Sequence, residues 1–238
     1  MNNRGKEMET EYRGLKIRAV ADLHRECISI IKQLALGKDS KVLDLGSGEG
    51  AFCRRLLDNG YDVTAMELVP GRFQVDVTCH EQDLNFDFKD KLSEKFDLIV
   101  AIEIIEHLQN PRHFIAECIG LLKEDGFLLL TSPNLESWYS RIQFFRGGRF
   151  LWFNENDYIS SGHITPIFTW QVVQICKELN TRVEIMAHTQ NELLYKYLGN
   201  GWLNKLLCKS TYMSALSPLM EGWKKGEINI FVIRKNTS

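Results

Sequence analysis

Several features that define large classes of proteins are missing from this sequence. Its six cysteines form no C-x-x-C pair, which argues against a disulfide framework or a zinc site and favours buried, reduced thiols. No apolar run approaches the ~18 residues that a membrane span requires, and residues 1–12 are too polar for a signal peptide. The formal net charge is only −2, so the composition does not indicate a DNA partner. We therefore expect a cytoplasmic protein with reduced cysteines.

The 238 residues are enough for one large α/β domain. Apolar residues at near-helical spacing predict a helix over 15–36, and a nearly continuous apolar run predicts a buried central strand over 96–102. Further strands are predicted at 41–45, 61–66, 77–82, 127–131, 181–186 and 228–234, with helices between most of them. Strands that alternate with helices predict a doubly wound, seven-stranded, mostly parallel sheet.

The stretch after the first predicted strand carries three closely spaced glycines, Gly46, Gly48 and Gly50, and continues into a helical pattern. A strand that runs through glycines into a helix brings bare backbone N–H groups close to a ligand. Two fingerprints fit this spacing. The first two glycines and Ala51 satisfy the G-x-G-x-x-G/A pattern of dinucleotide-binding proteins. All three glycines, with Asp44 before them, satisfy the pattern D-x-G-x-G-x-G.

Asp44 favours the second fingerprint. A carboxylate two residues before the turn would repel a pyrophosphate, whereas it suits a cationic amino group and a sulfonium. The D-x-G-x-G-x-G stretch resembles the nucleotide loop of class I S-adenosylmethionine (SAM) methyltransferases. This resemblance implies a Rossmann-like fold whose seventh strand is antiparallel, and the long excursion before the strand at 228–234 agrees with that order. A NAD-dependent dehydrogenase, which would have six parallel strands, is the alternative.

The resemblance also implies which residues hold SAM. Glu67, at the end of the second strand, would accept hydrogen bonds from the ribose hydroxyls. Asp83 would accept one from the adenine amino group, with Leu84 as an apolar wall, although Glu81 and Asp87 leave the register of this contact open. The expected cofactor-binding residues are Asp44, Gly46, Ser47, Gly48, Gly50, Glu67, Leu68, Asp83, Leu84 and Ile102.

A second motif follows the central strand, at the edge where doubly wound sheets bind their ligands. Glu103, Glu106 and His107 have the i, i+3, i+4 spacing, which places them on one face if they form a helical turn. Two carboxylates and an imidazole that converge at a strand end would be costly as packing alone. Together with the later His163, the E-x-x-E-H pattern resembles class I methyltransferases that act on hydroxyl groups, including ubiquinone-pathway and sugar O-methyltransferases.

Methyl transfer to a hydroxyl group needs a base, and this cluster offers two. A neutral imidazole with a pKa of about 6.5 is suited to accept the proton, so His107 or His163 is the expected base. Glu103 and Glu106 would orient the imidazole or the acceptor. The four side chains could instead bind a divalent metal, as in the small-RNA 3′-terminal 2′-O-methyltransferases that the motif also resembles. We do not favour the metal, because no polar ligand adjoins His163 and no RNA-binding module is present.

Two segments interrupt the alternation of strands and helices within the single domain 1–238, which begins with a helical region over 1–36. Residues 134–162 combine aromatic rings with arginines, and residues 192–225 combine leucines and tryptophans with lysines. Both are expected to form a lid or the wall of an acceptor site, although packing on the sheet edge explains the first equally well. The second segment could touch a membrane surface or form a dimer contact. We expect a monomer or a homodimer.

The sequence therefore predicts a SAM-dependent O-methyltransferase that acts on a hydroxylated small molecule or a glycan by in-line transfer. The segment 134–162, followed by His163, loosely resembles proteins of bacterial surface-polysaccharide methylation. An RNA terminus is the less favoured acceptor. A non-catalytic SAM-binding module is a further alternative, and the intact cluster of Glu103, Glu106 and His107 argues against it.

Overall fold

The computed structural model describes residues 8–189 and 226–236, and its main feature is a seven-stranded sheet. The strands are β1 (Lys41–Leu45), β2 (Asp62–Glu67), β3 (Cys79–Glu81), β4 (Phe96–Ala101), β5 (Leu122–Pro133), β6 (Thr181–His188) and β7 (Ile228–Lys235). Their order across the sheet is β3-β2-β1-β4-β5-β7-β6. Strand β7 runs antiparallel to both of its neighbours, and the other pairs are parallel. The expected mostly parallel sheet with an antiparallel last strand is confirmed.

Helices cover both faces of this sheet. Those in the described part of the chain are α1 (Leu23–Ile31), α2 (Ala51–Asp58), α3 (Pro111–Leu121), α4 (Trp138–Gly147), α5 (Glu155–Ser161) and α6 (Thr169–Glu178). Helices α1 and α2 pack with Leu98 and Val100 of β4 in one core, whereas α3 and α6 pack with Ile99 and Ala101 in the other. Successive side chains of a strand point to opposite faces of the sheet. Because helices cover β4 on both faces, all of these side chains are buried, which explains the apolar run that predicted this strand.

The predicted helix over 15–36 is wrong in its first third. Glu11–Tyr12 and Leu15–Lys16 pair as a short antiparallel hairpin. Asp22 has a left-handed backbone with φ 63°, which interrupts helical geometry, and α1 begins only after it. The apolar residues that suggested an earlier start, among them Ile17, are buried in a small cluster beside the beginning of α2. The N-terminal hairpin therefore leads the chain across the carboxyl end of the sheet.

The two insertions differ in how far the structure describes them. Residues 134–162 include α4 and α5, whereas the expected second insertion at 192–225 lies wholly outside the described residues, so its predicted lid, membrane or dimer role stays a prediction. The cysteines within 8–189 are all free, and four of these five are buried. Within the described ranges, no helix is both long and apolar enough to cross a membrane.

Candidate active site

The loop between β1 and α2 is held in a conformation that requires glycine. Gly46, Gly48 and Gly50 have φ values of 68°, 58° and 94°, in the left-handed region that side chains disfavour. A Cβ at Gly46 would collide with the side chain of Ile104, and one at Gly50 would lie 2.5 Å from Val75 Cγ2. The loop therefore packs tightly against the side chains of Ile104 and Val75. It also borders a cavity of about 610 Å³.

Glu67 is fixed beside this loop at the end of β2. Its Oε2 accepts a hydrogen bond from the Gly48 N–H at 2.7 Å, and its Oε1 accepts one from the Val69 N–H at 3.2 Å. The carboxylate lines the cavity. An acidic group held at this strand end can accept hydrogen bonds from ribose hydroxyls, and that role stays a prediction.

Asp44 lies beneath the glycine loop and is only 3% exposed. Burial raises the pKa of its carboxyl group to about 7, and the negative charge of Glu67 adds to this shift. The Cys53 thiol opposes the shift by donating a hydrogen bond to Asp44 Oδ2, with a sulfur–oxygen distance of 2.9 Å. No sequence pattern indicated Cys53, because this contact depends on how α2 packs over β1. A cation beside Asp44 would favour its ionised form.

The cavity brings together many of the residues expected from the sequence. Those that line it are Asp44, Gly46, Ser47, Gly48, Glu67, Ile102, Glu103, His107 and His163. Residues 16–20 also line it, and sequence analysis missed them because it assigned them to a helix. Glu49 accepts hydrogen bonds from the Lys16 N–H at 3.2 Å and from Arg18 Nη2 at 3.3 Å. These contacts hold the N-terminal segment across the glycine loop.

Other expected cofactor residues do not line this cavity. Gly50 supports the loop from behind, and Leu68 is 57% exposed at the surface. Asp83 Oδ1 accepts hydrogen bonds from both the backbone and the side-chain N–H of Asn85, each at 2.9 Å. Leu84 is also absent from the lining of this cavity, and its expected role as an apolar wall of the site stays a prediction. Its side chain is buried in the hydrophobic core, and this burial is favourable because it removes apolar surface from water.

The stretch after β4 is not the helical turn that its spacing suggested. Glu103 has a left-handed backbone with φ 53°, so only Ile105–His107 forms a short 3-10 turn. The Glu103 carboxylate accepts a hydrogen bond from the Val20 N–H at 3.1 Å, and the Glu103 N–H donates one to Thr131 Oγ1 at 2.8 Å. Contacts with segments distant in sequence therefore override the local periodicity, and Glu103 does not share one face with the other two side chains.

Glu106 is fully buried, and neither of its carboxyl oxygens has a hydrogen-bond partner within the described ranges. Burial raises its pKa well above the usual range, and the nearby carboxyl group of Glu103 raises it further. Glu106, His107 and His163 each offer one atom that could bind a metal, and these three atoms lie within 4.8 Å of one another. The cluster expected from the sequence therefore contains three close side chains, with Glu103 to one side.

The two imidazoles form the centre of this cluster. Their ring centroids are 4.9 Å apart, with an angle of 74° between the rings. His107 Nδ1 lies 3.2 Å from the Gly162 carbonyl oxygen, and His163 Nδ1 lies 2.7 Å from that of Trp152. Burial lowers the pKa of His107, and the neighbouring His163 lowers it further. An imidazole that stays neutral at physiological pH can act as a base or as a metal ligand.

The first insertion supplies one wall of the same cavity. Trp152, Ser160 and Ser161, from the region around α5, line it next to His107 and His163. Trp152 has φ 65°, a left-handed backbone that is rare for an aromatic residue. This wall therefore contains one aromatic residue and two serines, and Ser160 Oγ donates a hydrogen bond to the Asn156 carbonyl oxygen at 2.7 Å.

The strand order, the antiparallel β7, the glycine loop after β1 and the acid after β2 together define a class I SAM-dependent methyltransferase. Comparison with protein families agrees. The family model described as "Methyltransferase domain" matches residues 19–179, which is more than half of the chain. The protein belongs to this methyltransferase family, and the dehydrogenase alternative is therefore rejected.

Curated relatives include O-methyltransferases. The ubiquinone biosynthesis O-methyltransferase of Glaesserella parasuis is 34% identical over 107 residues, which cover 40% of this chain and 45% of the relative. The protein of the same name from Maricaulis maris is 27% identical over 106 residues, which cover 41% and 42% of the two chains. The chain thus matches less than half the length of these relatives.

Solved structures share the fold over most of the chain. A SAM-dependent methyltransferase from Archaeoglobus fulgidus has a TM-score of 0.63 and 16% identity, covering 90% of this chain and 93% of the other. The 1,6-didemethyltoxoflavin-N1-methyltransferase of Burkholderia thailandensis, solved with S-adenosylhomocysteine, has a TM-score of 0.55 and 14% identity, covering 91% and 80%. At these identities the likeness establishes the fold alone.

Proposed function

We propose that this protein transfers a methyl group from SAM to a hydroxyl group of a small molecule or a glycan. The observation that carries the proposal is one shared cavity. The glycine loop, Asp44, His107 and His163 all line it. A methyl donor bound at the loop would therefore share one cavity with two imidazoles.

In this proposal Asp44 binds the amino group of SAM, and Glu67 binds the ribose hydroxyls. Both carboxylates lie at the carboxyl ends of adjacent strands, 41–45 and 62–67, beside the bare N–H groups of the glycine loop. Ile102 also lines the cavity, directly after β4, the strand that pairs with the other edge of β1. Asp83 would contact the adenine amino group through Oδ2, because both hydrogen bonds from Asn85 go to Oδ1.

The acceptor hydroxyl must lose a proton as it attacks. In the proposed step, an imidazole nitrogen of His107 or His163 takes this proton while an oxygen lone pair forms the bond to the methyl carbon. The carbon–sulfur bond breaks, and its electron pair stays on sulfur as S-adenosylhomocysteine leaves. Holding donor and acceptor in line can lower the barrier by roughly 7–11 kcal/mol, and a positioned base adds about 10²–10⁴-fold.

Three features support a hydroxylated acceptor of modest size. The named activity of the Glaesserella and Maricaulis relatives is O-methylation. Trp152 offers a flat face to a ring, and Ser160 and Ser161 offer hydrogen bonds. The cavity of about 610 Å³ lies in the range of small-molecule sites. We propose no nucleic acid partner for this activity, and either a monomer or a homodimer would satisfy it.

Cofactor binding is tested by titrating the purified protein with SAM and with S-adenosylhomocysteine in a calorimeter. We expect saturable binding to both, and we expect Asp44→Ala to abolish or strongly weaken it. A folded wild-type sample that binds neither molecule would contradict the proposal.

The base is tested with radiolabelled SAM and a panel of phenols, catechols and glycans. His107→Ala and His163→Ala should retain cofactor binding, and the variant that lacks the base should lose about 10²–10⁴-fold in turnover. His113→Ala is the matched control, because its imidazole contacts Asp87 outside the cavity, with an Nε2–Oδ1 distance of 3.2 Å. Unchanged turnover in both active-site variants would remove the histidines from the chemistry.

A metal-assisted 2′-O-methyltransferase of RNA termini is the second candidate. The observation that favours it is Glu106, whose buried oxygens have no partner in the described part of the chain. One carboxylate and two imidazoles within 4.8 Å suit a divalent cation such as Zn²⁺ or Mn²⁺. When bound, the metal would polarise the acceptor hydroxyl groups, and Glu106, His107 and His163 would hold it.

Elemental analysis and EDTA separate the two candidates. A metal in stoichiometric amount that is lost in Glu106→Gln, together with activity lost in EDTA and restored by the metal, would favour the second candidate. Activity that persists in EDTA on a metal-free sample would reject it. Short RNA oligonucleotides with and without a 3′-terminal 2′-hydroxyl, added to the acceptor panel, test the substrate directly.

A further inference from the structure

The two active-site histidines are oriented by the two ends of one short helix. Trp152 lies just before α5, and its carbonyl oxygen is 2.7 Å from His163 Nδ1. Gly162 lies just after α5, and its carbonyl oxygen is 3.2 Å from His107 Nδ1. A carbonyl oxygen can only accept a hydrogen bond, so a proton on Nδ1 satisfies each of these contacts. In a neutral imidazole of that form, Nε2 keeps its lone pair.

The backbone at both contacts is unusual. Trp152 has φ 65° and Gly162 has φ 74°, so both carbonyls are presented from left-handed residues. A left-handed backbone is natural for glycine but unfavourable for tryptophan, and strain of this kind persists only where surrounding contacts fix it. The Phe153 N–H donates to the Phe150 carbonyl oxygen at 3.1 Å, which closes the turn that contains Trp152.

Helix α5 is itself held by a capping box. Asn154 Oδ1 accepts hydrogen bonds from the N–H groups of Asn156 at 2.8 Å and Asp157 at 3.2 Å. The Asp157 carboxylate accepts one from the Asn154 N–H at 3.2 Å. At the other end, the Gly162 N–H donates to the Tyr158 carbonyl oxygen at 3.2 Å. The spacing between the Trp152 and Gly162 carbonyls is therefore fixed by hydrogen bonds inside this segment.

We propose that residues 152–162 act as a clip that sets the tautomer of both histidines, with Trp152, Asn154 and Gly162 as positioning residues. The clip holds His107 and His163 in the Nδ1–H form and leaves both Nε2 lone pairs available. That form suits the removal of a proton from an acceptor and equally suits metal ligation. The functional meaning of the clip rests on the proposed role of the histidines, but the geometry can be tested without an acceptor.

The test is nitrogen-15 NMR of the histidine side chains in the full-length protein, with signals assigned through His107→Gln and His163→Gln. In the wild type, both residues should show a protonated Nδ1 and an unprotonated Nε2. An Nε2–H form at both residues in a folded sample would overturn the proposal, whether or not the protein methylates anything.

Asn154→Ala provides the perturbation, and Asn154→Ser provides the conservative rescue. Asn154→Ala should shift a measurable share of both imidazoles towards the Nε2–H form. Asn154→Ser should restore the wild-type spectrum, because serine keeps an accepting oxygen at the N-cap and adds no charge beside the Asp157 carboxylate. Asn110→Ala is the matched control. Asn110 caps α3 by accepting from the His113 N–H at 3.0 Å, away from the cavity.

The outcomes separate positioning from general destabilisation. Loss of the tautomer in Asn154→Ala, with no change in Asn110→Ala at a similar melting temperature, supports the clip. Equal tautomer shifts in both variants, or none in Asn154→Ala, overturn it. Gly162→Ala adds an independent arm, because a Cβ there would lie 3.6 Å from His107 Nδ1 on a left-handed backbone. It should disturb His107 more than His163.

Discussion

The carboxyl group of Asp44 is buried beneath the glycine loop, and its pKa is raised to about 7. If it binds the SAM amino group, it must be ionised in the complex. The amino group of SAM stays charged throughout pH 5 to 7. As the pH falls from 7 to 5, Asp44 of the ligand-free protein becomes increasingly protonated. SAM affinity should therefore rise with pH in this range, by up to ~10-fold per pH unit.

Calorimetry in two buffers of different ionisation enthalpy measures this coupling. Wild-type protein should release close to one proton per SAM at pH 6. Asp44→Asn should bind weakly, with no such proton release. Affinity that is independent of pH between 5 and 7 in the wild type would show that Asp44 is already ionised or does not contact the ligand.

The same carboxyl group should destabilise the free protein at neutral and higher pH. Its pKa in the folded state is about 7, above the ordinary value of 3.8 that applies to the unfolded chain. The folded state therefore holds the proton more tightly, and stability falls as the pH rises from 4 through 7. The difference of roughly three units corresponds to at most ~4 kcal/mol.

Thermal unfolding without ligand tests this expectation. Asp44→Asn should melt at a higher temperature than the wild type at pH 8 and at a similar temperature at pH 4, where both side chains are neutral. Asp62→Asn, a substitution of an exposed residue at the start of β2, is the control and should change little at either pH. A variant less stable than the wild type at pH 8 would contradict this account.

At the scale of single elements, the glycine loop requires glycine for two separate reasons. Its backbone is left-handed, and at Gly46 a neighbouring side chain leaves no space for a Cβ. Gly46 and Gly60 both have a positive φ, of 68° and 85°, but only Gly46 has a neighbour where a Cβ would lie. Gly46→Ala should weaken SAM binding by tenfold or more, because the loop must move away from Ile104. Gly60→Ala should lower stability by roughly 1 kcal/mol and leave SAM binding unchanged.

Titration of both variants with S-adenosylhomocysteine, beside their melting temperatures, distinguishes these effects. Equal losses of affinity in the two variants would mean that backbone strain alone matters. Shortening the neighbour in Gly46→Ala/Ile104→Ala should recover part of the binding.

The same loop shows what could be predicted locally. Asp44, Gly46 and Gly48 were located from spacing, since a strand, a glycine turn and a helix adjoin in sequence and need no distant partner. The helical turn expected to place Glu103 on one face with Glu106 failed for the opposite reason. Its geometry depends on Val20, which is 83 residues away, and periodicity carries no information about such a contact.

At the scale of the whole molecule, backbone hydrogen bonds join the N-terminal segment to residues that line the cavity. The Lys16 N–H donates to Glu49 at 3.2 Å, and the Val20 N–H donates to Glu103 at 3.1 Å. A ligand that fills the cavity should stabilise this segment. Hydrogen exchange with and without S-adenosylhomocysteine should show slower exchange at both amides. The Lys41 amide, which donates to Asp97 Oδ2 at 2.9 Å near the amino ends of β1 and β4, is the control and should not change.

The sheet was predictable as a whole because buried strands leave a strong apolar signal and helices alternate with them. Its order and the antiparallel β7 came from the resemblance to a family. The wrong start of the first helix shows where pattern alone is insufficient. Leu15 and Ile17 fit a helical spacing, but they also alternate as a strand does, and burial beside α2 selects the second.

The antiparallel pairing of β7 has a consequence for the order in which the protein is made. Among the described residues, every group that lines the cavity lies between Lys16 and His163. Strand β7, at Ile228–Lys235, is the hydrogen-bonding partner of both β5 and β6. During synthesis, these described cavity-lining groups therefore leave the ribosome before β7 does, so a chain that still lacks β7 exposes the edge of β5. We expect the donor site to become stable only after β7 has paired with β5.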